Sequence, residues 1–176
     1  MIDQHDSIDE SSEIQNNKRP VFLTVLIILS GIYITFSFFG VTRSLINGPL
    51  SQEVLEEELS GLYASTAELQ ANGIGEQFSQ MMDIIIQNAI YINNEAFYST
   101  NILTLLTLII GAISLFLMFN LKKIGFHIYV AYSLLPIVTM YILTPMELIL
   151  TLSVILSVIL AAVFSLLYGL NLKYMK

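Results

Sequence analysis

Four stretches of this chain are long, apolar and free of charge: Pro20–Thr42, Ala96–Leu121, Ile124–Met146 and Leu148–Leu172. Each reaches the roughly 20 helical residues needed to cross a hydrocarbon core. Backbone in lipid must satisfy its own N–H and C=O groups, so runs of this length read as helices, and they lack the alternation of barrel strands. The window 148–167 holds 14 Leu, Ile, Val or Phe. That favours insertion by on the order of 4 to 8 kcal/mol before polar corrections. Composition points the same way, with 55% hydrophobic and 12% charged residues and a mean hydropathy of +0.73, against roughly 25% charged in soluble domains. The expected fold is all-α: a polytopic membrane helical bundle of four transmembrane helices with an extracytoplasmic amphipathic helical hairpin. The helices are placed at 20–42, 98–121, 124–144 and 145–172, the hairpin at 43–97, and an acidic leader at 1–19.

Orientation follows from the basic residues, because lysine and arginine beside short loops stay in the cytoplasm. Lys18 and Arg19 precede the first span, Lys122 and Lys123 fill the second turn, and Lys173 and Lys176 follow the fourth. Only Arg43 falls on the other side. Both ends are therefore expected in the cytoplasm. The stretch Val21–Phe39 exceeds the roughly 7–15 residues of a signal-peptide core, and no small-x-small cleavage pattern follows it, so an uncleaved anchor is expected. The leader before it carries Asp3, Asp6, Asp9, Glu10 and Glu13 and has too little apolar surface to fold around.

The segment between the first two spans opens with the turn signal Asn47-Gly48-Pro49. Leu55, Leu59, Leu62 and Leu69 then keep helical spacing beside a run of glutamates. Asn72-Gly73-Ile74-Gly75 breaks the chain, and Phe78, Met81, Ile85, Ala89, Ile92 and Ala96 resume an apolar stripe. Two helices of this kind are expected to bury their stripes on each other or on the membrane helices. The alternative is a docking face for another protein formed by Leu55, Leu59, Leu62, Leu69, Phe78, Met81 and Ile85. The hairpin carries no lysine or arginine beyond Arg43, which disfavours lying flat on anionic lipid.

In the fourth span Ser153, Ser157, Ala161, Ser165 and Gly169 recur every four residues. Small side chains at this spacing let a second helix approach closely. The stripe is a helix-packing surface, for another helix of the chain or for a second copy. Thr104, Thr107, Gly111 and Ser114 give the second span a matching face, so contact between spans two and four is expected.

Little in the sequence points to chemistry. No Asp, Glu, Lys or Arg falls in the middle of any span, where ion-coupled transport keeps such groups. Glu147 fits a helix start in Thr144-Pro145-Met146-Glu147, with Thr144 as cap and Glu147 closing a capping box. His5 and His127 lie far apart and without ligand neighbours, so neither is expected to hold a metal. Pro136 lies mid-span and should bend its helix. With no cysteine there is no thiolate site, and the net charge of −7 argues against nucleic acid. The expected catalytic, cofactor and metal sites are none, and the partners are the lipid bilayer and other membrane proteins or a second copy.

The opening Arg19-Pro20-Val21-Phe22-Leu23-Thr24-Val25-Leu26, the turn Lys122-Lys123-Ile124-Gly125-Phe126-His127-Ile128-Tyr129 and the ending Tyr168-Gly169-Leu170-Asn171-Leu172-Lys173 resemble the uncharacterised small four-helix integral membrane proteins of bacteria. The resemblance implies the same topology, a bacterial cytoplasmic membrane, and no activity. The functional expectation is a non-enzymatic scaffold or accessory subunit working with other membrane proteins. The alternative is a small oligomeric transporter or channel for a neutral solute.

Overall fold

The computed structural model describes residues 20–71 and 76–176, without the side chain of Leu69. The acidic leader with His5, the Lys18-Arg19 pair, the Asn72-Gly73-Ile74-Gly75 break and the Leu69 side chain lie outside the described residues. Those residues form six α-helices and two short 3-10 turns, with no strand among them. The helices are α1 (Val21–Asn47), α2 (Gln52–Ala71), α3 (Glu76–Asn94), α4 (Phe97–Phe119), α5 (Lys123–Leu143) and α6 (Thr151–Gly169). Four of them, α1, α4, α5 and α6, are long and apolar enough to cross a membrane, α6 together with the turn that follows it.

Local chemistry sets the helix ends. At Gly48 the backbone takes φ +78°, and its N–H bonds to the Ser44 carbonyl at 2.9 Å. Glycine tolerates that conformation, and Pro49 cannot continue a helix, so α1 stops there, beyond the residue-42 boundary expected from charge alone. The α4–α5 turn is tighter. Leu121 adopts φ 57°, its N–H bonds to Met118 O, and Lys122 N–H bonds to Leu117 O, both at 2.9 Å. This is the hydrogen-bond pattern of a Schellman cap with leucine where glycine is usual. The C-terminal residues close over it, Lys176 N–H donating to Leu121 O and Lys123 N–H to Lys176 O.

The fourth apolar helix begins later than expected. Thr144 ends α5, its N–H bonded to Met140 O, and Pro145 to Leu150 run through a 3-10 turn at Met146–Leu148 before α6 starts at Thr151. No capping box forms from Thr144 and Glu147, because Pro145 with ψ 141° turns the backbone out of the helical region. The Leu148 carbonyl instead accepts from Asn88 Nδ2 at 3.0 Å.

Helix α4 is central, with α1 and α5 lying along it and α6 lying on α5. The expected contact of α4 with α6 is not among the substantial ones. The face of α4 that could receive α6 is taken by α5, since a Cβ added to Gly111 would sit 2.7 Å from the Tyr132 ring. The main core gathers Leu23 and Leu26 of α1, Leu115 and Met118 of α4, Tyr129 of α5 and Tyr168 of α6. A separate small core, Leu55 and Leu59 with Ile86, joins α2 to α3.

Candidate functional site

Threonines on α4 begin an interior feature lined with hydroxyls. Thr100, Thr104 and Thr107 share one face, with Thr104 and Thr107 donating to the Thr100 and Leu103 carbonyls at 2.8 Å, the local bond a helical threonine makes. Below them Gly111 admits the Tyr132 ring. One turn further along α5, Pro136 lacks the N–H that would bond to the Tyr132 carbonyl. The threonine face and the proline bend together leave a cavity of about 240 Å³ between α1, α4 and α5. Tyr33 of α1 and Ile92 of α3 border it, and Thr139 and Thr144 add to its polar lining.

A tyrosine cluster continues from this cavity toward the opposite end of α5. The Tyr168 hydroxyl donates to Ser30 Oγ at 2.9 Å, tying α6 to α1. The Tyr129 ring lies 4.4 Å from that of Tyr168 at 53° and 5.6 Å from that of Tyr132 at 57°. Tyr168 is fully buried and Tyr129 nearly so. The closely spaced, tilted rings of Tyr129 and Tyr168 pack α5 against α6.

No carboxylate, ammonium or guanidinium lines the cavity. Among the described residues no group of three or more His, Cys, Asp or Glu is placed to hold a metal. The lining can donate and accept hydrogen bonds to an uncharged group. It carries no acid–base pair for proton transfer.

The second feature is the α2–α3 pair. Asn93, at the end of α3, accepts from Leu50 N–H at 2.8 Å through Oδ1 and donates to Leu50 O at 3.0 Å through Nδ2. One side chain thus satisfies both backbone groups of the residue leading into α2, as a neighbouring strand would. With Asn88 holding Leu148 O, the pair is fixed both to its own entry segment and to the α5–α6 connection.

The residues singled out in the sequence are distributed unevenly. Leu55 and Leu59 are buried against Ile86, and Leu62 is partly buried beside them. Met81 is half-buried. Phe78 and Ile85, 36% and 37% exposed, face outward with Val54 and Tyr63 of α2. In α3 the buried line is Ser79, Ile86 and Asn93, displaced by one residue from the apolar stripe. On α6, Ala161 is buried and Ser165 is half-buried. A Cβ on Gly169 would lie 3.7 Å from the Phe126 ring, so this end of the stripe lies against α5. Ser153 is half-buried, Ser157 is exposed, and each hydroxyl bonds to its own helix, at Leu150 O and Ser153 O.

Asn88, Asn93, Ser30 and the hydroxyls of Thr100 and Thr139 were missed by pattern reading, and Thr144 was read only as a helix cap. The three-and-four spacing of Thr100, Thr104 and Thr107 is the signal that could have found the cavity wall. Two adjacent asparagines, Asn93-Asn94, at the junction of an apolar stripe and a membrane span are a weaker one.

Comparison of the chain with known protein families, curated proteins and solved structures finds no match in any of the three.

Proposed function

We propose that this chain is a multi-pass protein of a bacterial cytoplasmic membrane, a bundle of four transmembrane helices with both ends in the cytoplasm and α2–α3 outside. It serves as a non-enzymatic scaffold or accessory subunit for other membrane proteins. The observation that carries this reading is the mounting of α2–α3. Asn93 and Asn88 pin the pair to Leu50 and Leu148, while Phe78, Ile85, Val54 and Tyr63 remain exposed beside acidic side chains. A rigid element that spends its inner face on anchoring and leaves aromatic and aliphatic side chains outward is built to be met by something. The membrane helices support the same reading. Only 6% of the most apolar stretch of α5 and 11% of that of α6 is buried, against 33% for α4, so two helices have most of their surface available to lipid or to a partner's helices.

Co-purification of the tagged protein in mild detergent, after crosslinking in the native membrane, tests the proposal. A reproducible membrane-protein partner supports it, and a strictly monomeric, partnerless protein contradicts it. The second reading, a small oligomeric transporter or channel for a neutral solute, draws support from the hydroxyl-lined cavity and is tested by solute flux into liposomes.

A further inference from the structure

We infer that the cavity between α1, α4 and α5 is a binding site for a small uncharged amphiphile, an apolar body bearing a hydroxyl group. This goes beyond the scaffold reading and does not depend on it.

The hydroxyls set the chemistry. Tyr33, Tyr132, Thr100, Thr139 and Thr144 all line the cavity, and none of these side chains hydrogen-bonds to another described residue. Elsewhere in the spans the hydroxyls of Thr24, Thr35, Ser133, Ser153 and Ser157 are turned back onto carbonyls of their own helices, as are those of Thr104 and Thr107 in the cavity wall itself. Unpartnered hydroxyls occur outside the cavity too, at Thr42 and Ser114, but here five of them border one space. None of the five hydroxyl oxygens is sealed inside the protein, since the buried side-chain atoms without a partner among the described residues are Thr42 Oγ1 and Ser114 Oγ, so the five can be reached by a molecule in the cavity. Five around one space favour an occupant that can both donate and accept.

Shape and charge narrow the class. The other walls include Ile92, Leu108, Pro136, Met140 and Leu143, so the occupant has an apolar body. No carboxylate, ammonium, guanidinium or imidazole stands in the lining to balance an ion, and an unpaired charge between apolar helices is disfavoured. At interior density of about 0.74, 240 Å³ accommodates roughly 180 Å³ of matter. That is below the roughly 300–1,000 Å³ of drug-sized sites, and suits a single substituted ring or a short branched alcohol.

The probe is 4-propylphenol, with propylbenzene as the matched compound lacking only the hydroxyl, titrated calorimetrically against the full chain in lipid nanodiscs and against empty nanodiscs. The expected result is saturable binding of 4-propylphenol beyond its partition into lipid. Thr139→Val and Tyr33→Phe should each weaken it roughly threefold to tenfold while changing propylbenzene by less than about twofold. Thr104→Leu, which fills the cavity, should abolish binding of both. Tyr33 is 62% exposed, so its variant leaves folding intact and keeps the test valid if Thr139→Val does not fold. Heats from 4-propylphenol that match empty nanodiscs overturn the inference, as does binding that Tyr33→Phe, Thr139→Val and Thr104→Leu leave unchanged.

Discussion

Substitution of Gly125 by alanine probes one of the two closest glycine contacts among the described residues. Gly125 lies just after the α4–α5 turn, and a Cβ there would fall 2.7 Å from the Met118 backbone nitrogen, 2.8 Å from Leu117 Cβ and 2.9 Å from Met118 Cγ. Ordinary contact is about 3.5–4.0 Å, so the overlap approaches an ångström against three atoms, one of them backbone. Relief by local movement is blocked, because Leu117 O and Met118 O both accept bonds within the turn and Met118 is fully buried. The helices must separate. Gly31 provides the control: it too lies in a long apolar helix, and a Cβ there meets nothing within 4 Å. Both substitutions gain the same helix propensity, up to about 1 kcal/mol, so the difference between them isolates the steric cost, about 1–3 kcal/mol. Reversible unfolding in mixed micelles titrated with sodium dodecyl sulfate measures both. Gly31→Ala is expected to be neutral or slightly stabilising and Gly125→Ala to be the less stable by that margin. Equal stability of the two would refute the close approach of α4 and α5.

Three further outcomes follow from other contacts. Asn93→Leu leaves Leu50 N–H and C=O without their side-chain partner and should loosen α2 by about 1–3 kcal/mol, seen as faster hydrogen exchange across Gln52–Ala71 with α4 and α5 unchanged. A double-mutant cycle of Tyr168→Phe with Ser30→Ala should return a coupling of roughly 0.6 kcal/mol, the usual scale for hydrogen bonds between membrane helices, and a coupling near zero would remove the α1–α6 tie. Because the chain has no cysteine, single cysteines report topology without background: Glu57→Cys should react with an impermeant maleimide in intact cells, and Lys122→Cys only after permeabilisation.

The four apolar helices were legible because long uncharged apolar runs satisfy their backbone groups internally as helices, whereas the end of α1 was placed at residue 42, although the turn signal Gly48-Pro49 marks where it stops. Other features depended on tertiary context. The buried line of α3 contains Ser79 and Asn93, two polar residues that no hydrophobic stripe would include. Asn93 is buried because the Leu50 backbone, far away in sequence, supplies both of its hydrogen bonds. The start of α6 was placed too early because Thr144-Pro145-Met146-Glu147 satisfies the residue rule for a cap, while the proline conformation and the Asn88 bond to Leu148 hold the segment in another shape. Small residues on α4 and α6 suggested mutual contact, yet Gly111 makes room for Tyr132 and Gly169 faces Phe126, so both helices lean on α5. Small-residue spacing specifies that something comes close without specifying which element does. The cavity escaped notice for a related reason: only its α4 wall carries a sequence pattern, the threonine spacing, while the remaining lining comes from α1, α3, α5 and the residue that ends α5.

The proposed role rests most directly on the outward face of α3. Photo-crosslinking residues placed at Phe78 and Ile85 in the native membrane, with the buried Leu59 and the exposed Ile159 of α6 as controls, test it in one experiment. The account predicts one discrete membrane protein captured from both Phe78 and Ile85 and not from Leu59. Capture that is absent, or indistinguishable between these positions and Ile159, would contradict a docking role for α2–α3.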